Sequence, residues 1–205
     1  MAPRIDAPSI PEQRELRQRQ LIDAALSLAL ESGAEAVTVT AVATKAGLSR
    51  TTFYEYFSSS ADLIADLVME ELGTYRDRLL NAVEGSTGSI EYIECWIAEA
   101  LHYVADGRHL LVKSLNSITL PEYRKAEIAQ GHRALMGTIS DQLKDIGISD
   151  LQSALSYVQN SLDTAATRIE SGKNAETEIV MAQRYAVAGL KALADLSLSH
   201  DIHRA

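Results

Sequence analysis

Helical periodicity runs through almost the whole 205-residue chain, and it limits the possible folds more than any other feature. Apolar residues recur at spacings of three and four, as on one face of an α-helix, and no segment shows the sustained alternation of a half-buried strand. Three of the four prolines lie at positions 3, 8 and 11, and Pro121 fits the first turn of a helix. The sequence therefore predicts an all-α protein of about nine helices, preceded by a flexible arm over residues 1–12.

Glycines mark the predicted helix ends, since glycine is common just beyond the last turn of a helix. Examples are Gly33, Gly47, Gly107, Gly147 and Gly172. The predicted helices cover about 12–32, 39–46, 50–57, 61–83, 89–106, 108–118, 121–145, 149–171 and 175–199.

The segment 38–57, TVTAVATKAGLSRTTFYEYF, contains two short helical runs on either side of Gly47. Helices shorter than about 12–15 residues are marginal alone in water, so we expect the 12–32 helix to support them. Two short helices that cross over a glycine turn form a helix-turn-helix, whose second helix can enter the major groove of DNA. The same spacing also fits a small helical subdomain without DNA-binding activity.

The second helix of this segment has two different faces. Phe53 and Phe57 share one face and are predicted to anchor the helix. Arginine can bond the N7 and O6 atoms of guanine, a threonine methyl group can pack against thymine, and a tyrosine hydroxyl can donate to a phosphate. The outward positions that carry these residue types are Arg50, Thr51, Thr52 and Tyr54.

This segment resembles the TetR family of bacterial transcriptional regulators, which are helix-turn-helix repressors. The family pattern T-x-x-x-[IV]-A-x-x-A-G-[VL]-S-x-x-T-[FL]-Y-x-[YH]-F is matched from Thr38 to Phe57. The likeness is detailed over residues 14–75, and beyond them only length and helicity agree. It implies an N-terminal three-helix DNA-binding domain over residues 13–60, joined to a helical effector-binding and dimerisation domain over residues 61–205.

The resemblance also implies DNA contacts residue by residue. Thr40 lies near the start of the first motif helix, where the family contacts DNA, and Tyr54 and Tyr56 match phosphate-contacting positions. The family usually has lysine three residues after the closing phenylalanine, whereas this chain has Ser60. We expect Lys45 and the cluster of Arg14, Arg17 and Arg19 to compensate for the lost cation. The predicted DNA-binding residues are Thr38, Thr40, Lys45, Ser49, Arg50, Thr51, Thr52, Tyr54, Tyr56 and Ser60.

A stripe of aromatic and polar residues lies beside the aliphatic face of the predicted 89–106 helix. Apolar walls with a few convergent polar groups suit a small-molecule site, and the resembled family encloses an effector pocket in this part of the chain. An ordinary helical core explains the same stripe. The predicted lining is Tyr92, Trp96, Glu99, Tyr103, His109, Tyr123, His132 and Asn160.

The last two predicted helices carry more apolar surface than one partner helix within the chain requires. In the resembled family such helices pair about a two-fold axis, and a two-fold dimer sets two motif helices about 34 Å apart, as successive major grooves require. We therefore expect a homodimer, although the same faces can also pack within one chain. The predicted interface is Leu151, Leu155, Val158, Leu162, Ala186, Leu190 and Leu193.

Charge is divided unevenly along the chain, which has a net charge of −9. Residues 1–57 contain six Lys and Arg against seven Asp and Glu, whereas residues 58–205 contain 13 against 21. This balance argues against a general nucleic-acid binder, since such proteins are basic. The nearly neutral charge of residues 1–57 is compatible with a protein that binds selected DNA sequences.

The sequence as a whole predicts a repressor that a small molecule releases from a palindromic operator. Its partners would be double-stranded operator DNA, a second copy of the chain and an unidentified effector, in the cytoplasm of a bacterium and associated with the nucleoid. The single cysteine, Cys95, allows no internal disulfide and no thiolate metal cluster, and we predict no cofactor, no metal and no contact with a membrane.

Two alternatives stay open at this point. One is a TetR-like regulator without a small-molecule pocket, either an activator or a protein under the control of a protein partner. The other is an all-helical enzyme or carrier. Enzyme function is not expected, because the sequence contains neither a glycine-rich phosphate loop nor an H-E-x-x-H motif.

Overall fold

The computed structural model describes residues 9–107, 113, 115 and 119–202. No strand occurs among them, which confirms the predicted all-α class, and no described helix is long and apolar enough to cross a membrane. The predicted 108–118 helix lies almost entirely outside the described residues. The α-helices are α1 (Ile10–Ser32), α2 (Val39–Lys45), α3 (Arg50–Tyr54), α4 (Ser60–Val83), α5 (Ser89–Ala105), α6 (Glu122–Met136), α7 (Ser140–Asp145), α8 (Leu151–Glu170) and α9 (Ala175–Ile202).

The chain divides into two compact units. The first unit contains Met1–Glu70 and Leu111–Ile128, and the second contains Glu71–Leu110 and Ala129–Ala205. Helices α4 and α6 therefore each contribute residues to both units. The segment that ends at Ile128 belongs with the N-terminal helices although the 40 residues 71–110 separate them in the sequence.

Helix α1 begins at Ile10, two residues before the predicted start near residue 12, because Ser9 and Glu12 form a capping box. The Glu12 N–H donates to Ser9 Oγ at 3.4 Å, and the Ser9 N–H donates to the Glu12 carboxylate at 2.6 Å. Pro11 lies in the first turn, where its missing N–H costs no helical hydrogen bond.

The core of the first unit is built by α1, α2, α3 and the start of α4. Leu21, Val42, Phe53 and Leu63, one from each of these helices, are fully buried. Burial of a large apolar side chain stabilises a fold by about 1.5–3 kcal/mol. Tertiary packing of this kind, rather than intrinsic propensity, holds helices as short as α2 and α3.

In the second unit, α5 packs against α8 and α9. Trp96, the only tryptophan of the chain, is fully buried on α5. Its indole Nε1–H donates to Thr138 Oγ1 at 2.8 Å, which satisfies the one polar atom that burial takes from water.

The predicted 121–145 helix is interrupted in the structure. Helix α6 ends at Met136, a 3-10 turn covers Gly137–Ile139, and α7 begins at Ser140. Glycine followed by β-branched residues lowers helix propensity here. Thr138 Oγ1 also donates to the Leu135 carbonyl at 2.7 Å, and such side-chain bonds to the preceding turn compete with the regular helical pattern.

Candidate functional site

Two side-chain caps start the helices of the 38–57 segment. Thr38 Oγ1 accepts a hydrogen bond from the Ala41 N–H at 3.2 Å, and Ser49 Oγ accepts one from the Thr52 N–H at 3.0 Å. Each cap satisfies a backbone donor that the first turn of a helix leaves without a partner. The caps therefore fix where α2 and α3 begin through neighbouring residues, while tertiary packing holds the two helices.

The turn between α2 and α3 depends on Gly47, whose φ of +68° lies in the left-handed region that favours glycine. After this residue the chain reverses, and the Leu48 N–H donates to the Ala43 carbonyl at 2.9 Å. The structure thus forms the predicted helix-turn-helix, with α3 shorter than predicted. Beyond Tyr54, 3-10-type bonds from Glu55 to Thr52 and from Tyr56 to Phe53 complete the turn.

The two faces of α3 are separated as the sequence predicts. Phe53 is fully buried and Phe57 is 4% exposed, with their ring centroids 5.7 Å apart. Arg50 and Thr51 are exposed, and Tyr54 is 52% exposed although it is a large aromatic residue. The helix therefore presents a guanidinium, a hydroxyl with a methyl group and a phenol on one accessible surface.

The other predicted DNA-binding residues lie in different environments. Thr52 is half-buried, with its Oγ1 3.0 Å from Ser49 Oγ, so its hydroxyl takes part in the cap of α3. Tyr56 is also half-buried, and the Arg14 guanidinium lies 5.5 Å from its ring centroid. Ser60 is half-buried at the start of α4, whereas the exposed members are Thr38, Thr40, Lys45 and Ser49. Their contacts with DNA stay a prediction.

Lys45 has an acidic partner that the sequence analysis did not identify. Its Nζ lies 2.8 and 2.9 Å from the two carboxylate oxygens of Glu31 on α1, and the Ser27 hydroxyl donates to the same carboxylate at 2.8 Å. The hydrogen bonds from Lys45 and Ser27 hold the pKa of Glu31 below its usual range, so this carboxylate is anionic at neutral pH. It therefore opposes the attraction of Lys45 to phosphates.

Replacement of Glu31 by glutamine should raise the affinity for DNA of any sequence by roughly two- to fivefold at low salt, since it removes one anion beside Lys45. The slope of log affinity against log salt should steepen by up to about one. Fluorescence anisotropy with a labelled duplex measures both quantities. The control is the double variant Glu31→Gln/Lys45→Met, whose affinity is compared with that of Lys45→Met alone. The same gain in this comparison would show that Lys45 is not the cation involved.

The predicted effector stripe on α5 is divided among several partners. The Tyr92 hydroxyl donates to the Thr138 carbonyl at 3.3 Å, close to the Trp96 bond to the same residue. Burial raises the pKa of Tyr92, so its phenol stays protonated and remains a donor. The side chains of Tyr92 and Trp96 thus connect α5 to the break between α6 and α7 by two hydrogen bonds.

One helical turn further along, α5 carries a second polar cluster. Arg78 of α4 donates to the Glu99 carboxylate at 2.6 Å and to Asp106 at 2.9 Å. The Tyr103 hydroxyl donates to the buried Glu71 carboxylate at 3.2 Å, and the Tyr103 ring stacks on Tyr75 with centroids 4.3 Å apart. Burial raises the pKa of Tyr75 above its usual range. These intramolecular bonds already use the polar groups predicted to face an effector.

The remaining predicted effector residues are not gathered with this stripe. Tyr123 is 62% exposed in the first unit, and His132 is exposed on α6. Asn160 lies in a cleft between α8 and α9, and His109 lies outside the described residues. The lining of an effector pocket stays a prediction. Among the described residues, no group of three or more His, Cys, Asp or Glu is arranged to hold a metal ion.

The predicted dimer residues are largely covered within one protomer. Val158, Leu162, Ala186 and Leu190 are buried in the core of the second unit. Half-buried positions complete the predicted set, namely Leu151, Leu155 and Leu193. The accessible surface of these helices therefore depends mainly on other side chains.

A different set of apolar residues is exposed on α8 and α9. Tyr157 is 63% exposed, Met181 55% and Tyr185 76%, and Val180 is also exposed. Tyr157 and Tyr185 border both of two adjoining clefts, of about 460 and 350 Å³, between the helices, and Met181 borders the larger one. Large apolar patches on a surface are typical of binding sites. The i and i+4 spacing of Met181 and Tyr185 is the sequence signal that could have identified this face.

Comparison with known proteins agrees with the helix-turn-helix geometry. Residues 21–67 match the family described as "Bacterial regulatory proteins, tetR family". The fatty acid metabolism regulator protein of Bacillus subtilis (strain 168) is 25% identical over 101 residues. That match covers 49% of this chain and 52% of the relative, so the chain aligns with about half the length of that protein.

Solved structures share the fold over most of the chain. The fatty acid degradation regulator FadR from Bacillus halodurans has a TM-score of 0.69 at 19% identity, covering 85% of this chain and 96% of its own. FadR from Bacillus subtilis in complex with stearoyl-CoA has a TM-score of 0.64 at 20% identity, covering 85% and 98%. A TetR-like transcriptional regulator from Rhodococcus sp. RHA1 has a TM-score of 0.66 at 19% identity, covering 90% and 98%. Residues 21–67, which contain the motif of residues 38–57, are therefore similar to the tetR family of bacterial regulatory proteins, and the solved structures show a shared fold over most of the chain.

Proposed function

We propose that this protein is a transcriptional repressor that binds a palindromic operator as a homodimer and is released by a small molecule. The observation that carries the proposal is the surface of α3, where Arg50, Thr51 and Tyr54 are accessible while Phe53 and Phe57 fix the helix from behind. These three residue types can read base edges or bind phosphates in a major groove. Residues 13–60 would be the DNA-binding domain and residues 61–205 the effector and dimerisation domain, acting at the chromosome in the bacterial cytoplasm.

The partner in the dimer would be a second copy that covers the exposed face of α8 and α9. Tyr157, Met181 and Tyr185 supply aromatic and thioether surface, which is enriched in protein interfaces. A two-fold contact uses the same patch on both copies and presents two α3 helices to one face of the operator. The predicted leucines, with Val158 and Ala186, would then support this face from the core beneath it.

A long-chain acyl-CoA is the effector class that we propose. The support comes from relatives, because one regulator with a similar fold was solved with stearoyl-CoA and the partial sequence relative is a fatty acid metabolism regulator. To release the operator, the effector must bind the DNA-incompetent conformation more tightly than the competent one. An activator or a protein-controlled regulator would not need this ligand.

The test begins with selection of bacterial genomic fragments on the purified protein, followed by a gel shift with the recovered operator. We expect a palindromic sequence to be enriched, and stearoyl-CoA to weaken its binding, with free coenzyme A and stearate as matched controls. Failure to enrich any sequence would contradict operator binding. Unchanged operator affinity in saturating stearoyl-CoA would contradict the effector class while leaving DNA binding intact.

A further inference from the structure

Arg124 near the start of α6 connects that helix to the start of α4. Its side chain is 13% exposed, and its guanidinium donates to the Asp62 backbone carbonyl at 2.9 Å, to the Asp66 carboxylate and to Glu127 at 2.7 Å. Asp62 and Asp66 lie four residues apart on one face of α4. A single side chain therefore bridges the first two turns of α4.

Asp62 extends this network to the residues that directly follow α3. Its carboxylate accepts hydrogen bonds from the hydroxyls of Tyr123 on α6, of Ser58 and of Ser59. The Asp62 N–H in turn donates to Ser59 Oγ at 3.1 Å, so Ser59 caps α4. The hydrogen bonds from Ser58 and Tyr123 hold the pKa of Asp62 below its usual range, and the carboxylate is anionic at neutral pH. Three parts of the first unit thus meet at one aspartate.

The connection between α3 and α4 is short, so contacts at the start of α4 also affect α3. Only five residues, 55–59, separate the end of α3 at Tyr54 from the start of α4 at Ser60. The buried Phe57 lies within this connection, so it has little freedom to change direction. A rotation of the first turns of α4 must therefore be accompanied by a rotation of α3.

Arg124 offsets part of the negative charge of this network. One guanidinium faces three carboxylates, those of Asp62, Asp66 and Glu127. Its Nε atom is buried and makes no hydrogen bond within the described part of the chain. Removal of the guanidinium would leave two like charges one turn apart on α4, which repel each other. Arg124 therefore contributes more to the orientation of α4 than the residues of an ordinary surface ion pair contribute to the orientation of a helix.

We infer that Arg124 is a positioning residue for operator recognition, which holds α4 and thereby sets the orientation of the DNA-reading helix α3. The inference rests on the proposed DNA-binding function. It assigns to the 121–128 segment, far from the motif in sequence, a part in the affinity for the operator. Binding to DNA of any sequence depends on total charge more than on helix orientation, so it should be much less sensitive.

The test compares Arg124→Met with Lys125→Met in the full-length protein. Both variants lose one positive charge on the same helix, but Lys125 only pairs with the exposed Glu122. We expect Arg124→Met to lower operator affinity by about tenfold, within the range of coupling between contacting residues, and to change nonspecific affinity less than about twofold. Lys125→Met should leave the ratio of the two affinities unchanged.

Operator affinity unchanged in Arg124→Met, or an equal loss in Lys125→Met, would overturn the assignment. Asp66→Asn, which keeps the guanidinium and its other partners, gives a milder version if Arg124→Met folds poorly. Hydrogen exchange separates this inference from the proposed function, since it needs no DNA. Amides of residues 58–66 should exchange at least several-fold faster in Arg124→Met while those of α8 do not change, and unaltered exchange at residues 58–66 would refute the positioning role even if the protein bound no operator.

Discussion

Replacing Arg50 with alanine is expected to remove most of the sequence preference of the protein. A guanidinium that bonds N7 and O6 of one guanine contributes about 1–3 kcal/mol of discrimination, so operator affinity should fall roughly 5- to 150-fold. Arg50 is the first residue of α3 and is exposed, and the N-terminal residues of a recognition helix are those that contact base edges. Fluorescence anisotropy with the operator and with single-base variants measures the loss.

The control for this experiment is Arg133→Ala, which removes the same charge from an exposed position on α6. Its operator affinity should stay close to that of the unaltered protein. If Arg50→Ala weakened all DNA sequences equally, Arg50 would be a phosphate contact, and if it weakened none, the assignment of α3 as the reading helix would be wrong.

The second large effect is expected from Tyr185→Asp, which places a carboxylate on the most exposed aromatic side chain of the α8–α9 face. Burial of an unpaired charge in an apolar interface is costly, so the dimer should dissociate. Sedimentation should then give the 22.3 kDa mass of one chain instead of twice that value. Operator affinity should fall by at least about a hundredfold, because two linked half-site contacts become independent.

Leu30→Asp is the matched control for the oligomeric state. Leu30 is 67% exposed on α1 in the first unit, so an aspartate again replaces an accessible apolar side chain, but one that is not part of the α8–α9 face. It should sediment like the unaltered protein. A dimer that survives Tyr185→Asp at micromolar concentration would place the interface elsewhere.

The elements that the sequence predicts well are those set by neighbouring residues. The caps at Thr38 and Ser49 and the left-handed turn at Gly47 are local, and the predicted helix-turn-helix is confirmed. The break at Gly137–Ile139 was not predicted, because the helical apolar spacing continues across it from Leu135 to Ile139 and Leu143, and the Trp96–Thr138 bond at this place joins residues 42 apart.

The contacts that sequence periodicity misses join charged residues across long separations. Arg124 and Asp66 are 58 residues apart, and Lys45 and Glu31 are 14 apart on different helices. A helical pattern predicts which face of each helix is apolar, but it gives no pairing of the polar faces. The exposed Tyr157 and Tyr185 were missed for a related reason. From sequence alone, apolar residues are assigned to the core, and only the structure shows that α8 and α9 use other side chains for their contacts within the chain.

The buried indole of Trp96 also gives the protein an intrinsic optical probe. Trp96 belongs to the second unit, and neither segment of the first unit contains a tryptophan. Emission excited at the red edge of the absorption band therefore comes from one known place beside α6 and α7. An effector that disturbs the Trp96–Thr138 bond should shift that emission without any label, while a fluorophore on the DNA reports operator occupancy separately, so the two binding events can be timed in one cuvette.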